Sequence, residues 1–108
     1  MQSYKVLWTE DAVSDLDSII GYIFQESQTT GKEIYLAIKE KCESLEHFPF
    51  RGRIVPELES LGFCEYRELI YKRWRIVYSI EGNNVYLLLL LDSAQDIQEQ
   101  LVRRMLHD

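Results

Sequence analysis

Tyr66-Arg67-Glu68-Leu69-Ile70-Tyr71-Lys72-Arg73-Trp74-Arg75-Ile76-Val77-Tyr78 is the stretch on which the fold turns. Tyr, Trp, Ile and Val suit a pleated, half-buried surface, so it reads as two strands with a tight connection near Tyr71 to Arg73. A side-chain period of two places Trp74, Ile76 and Tyr78 on one face and Arg75 and Val77 on the other. In the first strand Arg67 and Leu69 oppose Tyr66, Glu68 and Ile70. Two arginines therefore stand inside what otherwise looks like sheet core. Either their stems pack on apolar neighbours and their heads pair with carboxylates such as Glu68 or Glu57, or they bind or catalyse.

Downstream, Ile80 ends the second strand, and Glu81-Gly82-Asn83-Asn84 has the composition of a hairpin turn. Val85 to Leu91 is a continuous apolar strand, and continuity rather than alternation means that both faces are covered. Ser93-Ala94-Gln95-Asp96 resembles a capping box, followed by a short helix with Ile97, Leu101, Val102 and Met105 on its apolar stripe. That helix could supply the second cover, as could a dimer mate or a partner peptide.

Upstream, Pro49 ends a helix at Phe48. Phe48 and Phe50 are expected to tuck under the sheet edge, Gly52 to take a positive backbone angle, and Ile54 to Leu58 to run extended. Tyr4 to Trp8 reads as a first strand and Thr9 as an N-cap. Ala12, Leu16, Ile19, Ile20 and Ile23 predict a helix from about Glu10 to Gln25. Ile34, Tyr35, Ile38, Cys42 and Leu45 predict another from about Gly31 to His47, antiparallel to the first across the short link Ser27–Gly31. Asp11 and Asp15 lie one turn apart on a face read as solvated, with no third ligand for a metal.

The 108 residues form a single domain, 1–108, large enough to bury an ordinary core. No secretory signal is visible, and the longest apolar run is too short to span a bilayer. Cys42 and Cys64 read as reduced residues, Cys42 as inert packing. These features predict a cytoplasmic protein without membrane association. The net charge of −6 is uneven: residues 51–75 hold six of the twelve bases against four acids. An acidic chain repels a phosphate backbone at long range, which disfavours general nucleic-acid binding. A local basic patch could still take an acidic partner.

The order strand, helix, helix, three-strand meander, short helix predicts an α+β fold. Its parts are an N-terminal strand, an antiparallel two-helix hairpin packed on an antiparallel sheet of about four strands, and a short C-terminal helix. Ala12-x-x-x-Leu16-x-x-Ile19-x-x-Tyr22-Ile23, Phe48-Pro49-x-x-Gly52-Arg53-x-x-Pro56-Glu57-Leu58, Tyr66-Arg67-Glu68-Leu69 and Trp74-Arg75-Ile76-x-Tyr78 together resemble the ParE/RelE superfamily over nearly the whole chain. Its members are the toxins of type II toxin–antitoxin modules, often called plasmid stabilisation proteins. RelE-like members cleave messenger RNA on the ribosome; ParE-like members bind and poison DNA gyrase. Arg75 matches the superfamily's strand arginine and Arg67 the ParE-type Tyr-Arg-Glu-Leu motif. The chain departs from the family after the last strand: Asp92-Ser93-Ala94-Gln95 stands where a His and arginines are usual.

The resemblance therefore implies a ParE-like gyrase inhibitor neutralised by a cognate ParD-like or RelB-like antitoxin in a hetero-oligomer. Arg51, Arg53, Arg67, Arg73 and Arg75 would be the antitoxin-binding residues. No cofactor or metal is implied. Arg67 and Arg75 would be catalytic only in the RelE-like alternative, a ribosome-dependent endoribonuclease. A second alternative is an attenuated module that binds its antitoxin without toxicity.

Overall fold

The computed structural model describes residues 3–106, the side chains of residues 105 and 106 excepted. Strand β1 (Lys5–Trp8) leads into helices α1 (Glu10–Glu26) and α2 (Gln28–Glu43) and a 3-10 turn at Ser44–Glu46. Then come β2 (Arg53–Ile54), the short helix α3 (Pro56–Glu59), the meander β3 (Tyr66–Tyr71), β4 (Trp74–Glu81) and β5 (Asn84–Asp92), and α4 (Ile97–Leu106). The sheet order is β1-β5-β4-β3-β2. The α+β architecture is the one expected from the sequence. The sheet is mixed, however, because β1 runs parallel to β5, and β2 adds a fifth strand of two residues beside β3.

Local chemistry fixes the helical hairpin. The Thr9 hydroxyl accepts from the Ala12 N–H at 3.2 Å and caps α1. Ser27 alone joins the helices: its N–H donates to the Ile23 carbonyl at 2.9 Å and its hydroxyl accepts from the Thr30 N–H at 3.2 Å. The link is thus shorter than the expected Ser27–Gly31, and α2 starts at Gln28. Gly31 lets the helices close, since a β-carbon there would lie 2.1 Å from the Phe24 ring.

The sheet separates two cores. On one face α1 and α2 cover Leu69, Ile76, Tyr78, Val85, Leu87 and Leu90. On the other, Val55, Leu58, Val77, Leu89, Leu91 and Ile97 are buried together under α3 and α4. The leucine strand serves both faces through a bulge: Val77 pairs with Leu89 and Tyr78 with Leu87, leaving Leu88 as the extra residue. The bulge reverses the alternation, so Leu87 and Leu90 share a face although three positions apart.

The C-terminal helix is therefore the second cover. Its cap is Asp96, whose carboxylate accepts from the Glu99 N–H at 3.1 Å. Ser93, expected to open a capping box, instead bonds the Arg73 carbonyl through both N–H and hydroxyl, each at 2.7 Å. Ile97 is buried and Leu101 packs beside it, while Val102 faces solvent; the Met105 side chain lies outside the described residues. Among the described residues no helix is long and apolar enough to cross a membrane. Both cysteines are free, and burial pushes the Cys42 thiol up to about 12, consistent with inert packing.

Candidate functional site

The first site feature grows from the register of β3 and β4. The two-residue turn at Lys72-Arg73, with Lys72 at φ 52°, pairs Tyr71 with Trp74. Counting outward places Arg67 opposite Tyr78 and Arg75 opposite Ile70. Cross-strand partners share a face. Arg67 therefore lies on the helical-hairpin face and Arg75 on the α3–α4 face. The sequence contained this signal, because a two-residue turn fixes the register.

Arg75 is 6% exposed and anchors an ion cluster. Its guanidinium donates bidentately to Glu57, at 2.6 and 2.7 Å, and to Glu68, at 2.6 and 3.1 Å. Arg53 adds a 2.7 Å bond from Nε to Glu68. Two guanidinium groups thus face two carboxylates. Bonding to Arg75 lowers the Glu57 carboxyl to about 2, against the desolvation that opposes it. The pairing of Arg75 with Glu57 and Glu68 is one of the two readings open from sequence.

The second feature is the loop Phe48-Pro49-Phe50-Arg51-Gly52 at the β2 edge. The buried Tyr78 hydroxyl donates to the Pro49 carbonyl at 2.7 Å and accepts from the Gly52 N–H at 3.0 Å. Burial raises its pKa, while the charges of Arg67 and Arg51 pull it back. Arg67 donates to the Gly52 and Phe50 carbonyls at 2.7 and 3.3 Å and stands 5.2 Å from the Phe50 ring centre. Arg51 donates to the Ser44 hydroxyl at 2.7 Å. Gly52 does not take the expected positive angle. It is glycine because a β-carbon would meet the Tyr78 hydroxyl at 2.5 Å and the Glu68 carbonyl at 2.6 Å. Phe48 and Phe50 do not tuck under the sheet: they are 63% and 61% exposed. Residues 56–58, expected extended, instead belong to α3, which has Pro56 at its first turn and delivers Glu57 to Arg75.

The third feature is an apolar groove of about 560 Å³ on the α3–α4 face, between Leu61, Phe63, Tyr66, Leu88, Leu101 and Val102. Its rim is set by Arg104, which clamps Asp15 with two 2.9 Å bonds and lies 3.6 Å from Asp11. Asp15 also accepts from the Leu90 N–H at 2.9 Å. The aspartates read as a solvated face are thus the anchor of α4. Nothing local announces a partner 89 residues away.

The five arginines expected to bind antitoxin do not form one patch. Arg75 is buried and paired, Arg73 pairs with Asp92 at the β3–β4 turn, and Arg53 reaches the α3–α4 face. Arg51 and Arg67 serve the loop on the helical-hairpin side.

With this fold and these motifs in place, the chain matches the model of the ParE toxin of type II toxin-antitoxin system, parDE, over residues 6–97. The chain belongs to the ParE toxin family. The toxin RelE2 of Caulobacter vibrioides is 38% identical over 50 residues, covering 46% of this chain and 57% of that protein. A fibril protein of Spiroplasma citri is 33% identical over 67 residues, 62% of this chain and 13% of that protein. The chain thus spans just over half of one curated relative and a small part of the other. Among solved structures, the chromosomal ParDE TA system from P. aeruginosa superposes with a TM-score of 0.68 at 18% identity, covering 83% of this chain and 96% of that one. The toxin-antitoxin complex RelBE2 from Mycobacterium tuberculosis gives 0.60 at 22% identity, covering 88% and 97%. At such identities the likeness shows the fold that this ParE family chain shares with them.

Proposed function

We propose that this ParE family chain is a single-domain cytoplasmic toxin of a plasmid-stabilisation type, which inhibits DNA gyrase by binding and is neutralised by a cognate ParD-like or RelB-like antitoxin. The observation that carries the choice of binding over cleavage is the separation of Arg67 and Arg75 on opposite faces of the sheet. Cleavage by 2′-hydroxyl attack needs cationic charge converging on one phosphate, with a base and an acid beside it. Here Arg67 holds loop carbonyls, and Arg75 donates four hydrogen bonds to two carboxylates. A carboxyl held at about 2, as in Glu57, is a weak base at neutral pH.

The groove beside α4 supplies the antitoxin's seat in this reading. Its apolar floor suits apolar anchors, and Arg53, exposed on the same face, suits an acidic one. Arg73, exposed at the β3–β4 turn beside Asp92, is a second cation that an acidic antitoxin side chain can reach. The sequence likeness to toxin RelE2 favours the other reading, a RelE-like ribosome-dependent ribonuclease. One experiment separates them: purified chain added in parallel to a gyrase supercoiling reaction and to translating ribosomes. The expected result is inhibited supercoiling with intact messenger. Codon-spaced cleavage with normal supercoiling would transfer the assignment to the ribonuclease. No effect in either, with antitoxin binding retained, would leave the non-toxic module.

A further inference from the structure

The Phe48–Gly52 loop is built unlike an ordinary surface loop. Scattered single apolar residues on a surface need no explanation. Here two phenylalanines, 63% and 61% exposed, flank a buried proline. Their backbone is fastened at consecutive positions. The Phe48 N–H donates to the Ser44 carbonyl at 3.0 Å and the Arg51 N–H to the Phe48 carbonyl at 3.2 Å. Tyr78 grips Pro49 and Gly52, and Arg67 grips the carbonyls of Phe50 and Gly52. A buried tyrosine and a strand arginine thus hold rigid a loop whose aromatic side chains face water. Rigid aromatic groups lose little freedom on binding, and aromatics and arginine are the residues that dominate protein interfaces.

Charge narrows the partner. Arg53 and Arg75 are balanced by Glu57 and Glu68. Arg51 and Arg67 have no carboxylate partner among the described residues and bond only a hydroxyl and carbonyls. The loop therefore presents two phenylalanines beside two unneutralised guanidinium groups. Such a surface fits a protein site with an apolar socket edged by Asp or Glu. A nucleic acid would also attract the arginines and stack on the rings, but a chain of net charge −6 repels its polyanionic backbone far more than a protein socket carrying one or two carboxylates.

We propose that Phe48, Phe50, Arg51 and Arg67 form the surface with which the toxin grips an acidic protein target, on the sheet face opposite the antitoxin groove. This deepens the proposed function and rests on its reading of the chain as a toxin that acts by binding. The test is the double substitution Phe48→Ala/Phe50→Ala, compared with the unaltered chain for growth arrest on induced expression, for arrest reversed by the co-expressed antitoxin, and for binding of a labelled single-stranded RNA 20-mer. Both side chains are exposed, so the variant should keep its melting temperature, and it should keep its antitoxin complex. Growth arrest should need on the order of 30-fold more protein, and Arg51→Glu should weaken it in the same direction. Arrest at unchanged dose would overturn the proposal alone. Loss of the antitoxin complex along with arrest would overturn it by placing the loop in the antitoxin interface. RNA retained by the unaltered chain and lost by the variant would overturn the protein partner. Absence of arrest by the unaltered chain would overturn the toxin reading and the proposal together.

Discussion

At the scale of single residues, the cluster of Arg53, Glu57, Glu68 and Arg75 sets the terms. The Glu68 side chain is wholly buried and Arg75 nearly so, and each is satisfied only by the others. A buried ion pair adds little against an apolar pair of the same volume, but removing one partner strands the other. Arg75→Ala should therefore lower the unfolding free energy by about 3–5 kcal/mol. The double replacement Arg75→Met/Glu68→Leu should recover most of that loss. Urea titration of the three proteins checks both, and equal midpoints for Arg75→Ala and the parent would exclude a stabilising role. Glu57 gives the pH dependence. Its folded carboxyl sits at about 2, below the usual 4.5. Its contribution is fully present above about pH 4.5 and is lost as the pH falls through about 2. Glu57→Gln should flatten the fall in stability across that window. Because the Glu57 side chain is 42% exposed, the effect is modest and should shrink with added salt.

At the scale of elements, α4 is held by two different devices: Ile97 buried against Leu89 and Leu91, and Arg104 clamping Asp15. Bonding to Asp15 raises the Arg104 pKa, so the guanidinium stays charged at any ordinary pH. Arg104→Ala should open α4 locally. Amide exchange across residues 97–106 and at Leu90, whose N–H bonds the same carboxylate, should quicken together, with about 1 kcal/mol lost overall. Exchange that quickens in α4 while Leu90 stays protected would uncouple the two. The elements also show what sequence can reveal. The helices were legible because their burial follows a 3.6-residue period and their caps are local. The two faces of the Val85–Leu91 strand were legible because the run is continuous. The bulge at Leu88 was not, since identical leucines carry no alternation to interrupt. Nor was the parallel pairing of β1 with β5, because nothing local in four residues chooses a direction across the intervening chain. Of the site, the carboxylates facing Arg75 were readable as partners. The clasp of Tyr78 and Arg67 on the Phe48–Gly52 loop depends on packing that proline and glycine only hint at.

At the scale of the whole molecule, one sheet with two cores gives each face its own dependence. The helical-hairpin core joins residues from both ends of the chain, from Ala12 to Leu90, and is closed by two long helices. The other core rests on α3, four residues long, and on α4. Removing residues 97–108 would bare Val77, Leu89 and Leu91 while leaving the first core intact. Burying one aliphatic side chain contributes about 1.5–3 kcal/mol, and Ile97 is only part of what α4 covers. The truncated chain should therefore lose at least about 3 kcal/mol in urea unfolding and bind a hydrophobic dye in its native state. Its far-ultraviolet circular dichroism should fall by no more than one short helix, because the hairpin and sheet hold without it. If the proposed antitoxin seat is right, antitoxin should restore much of the lost stability by covering the same leucines, in proportion to its concentration over its dissociation constant. A truncated chain as stable as the parent would mean that α3 and the Leu61–Tyr66 segment suffice to close the second core, and that α4, its Arg104 clamp included, adds nothing to global stability.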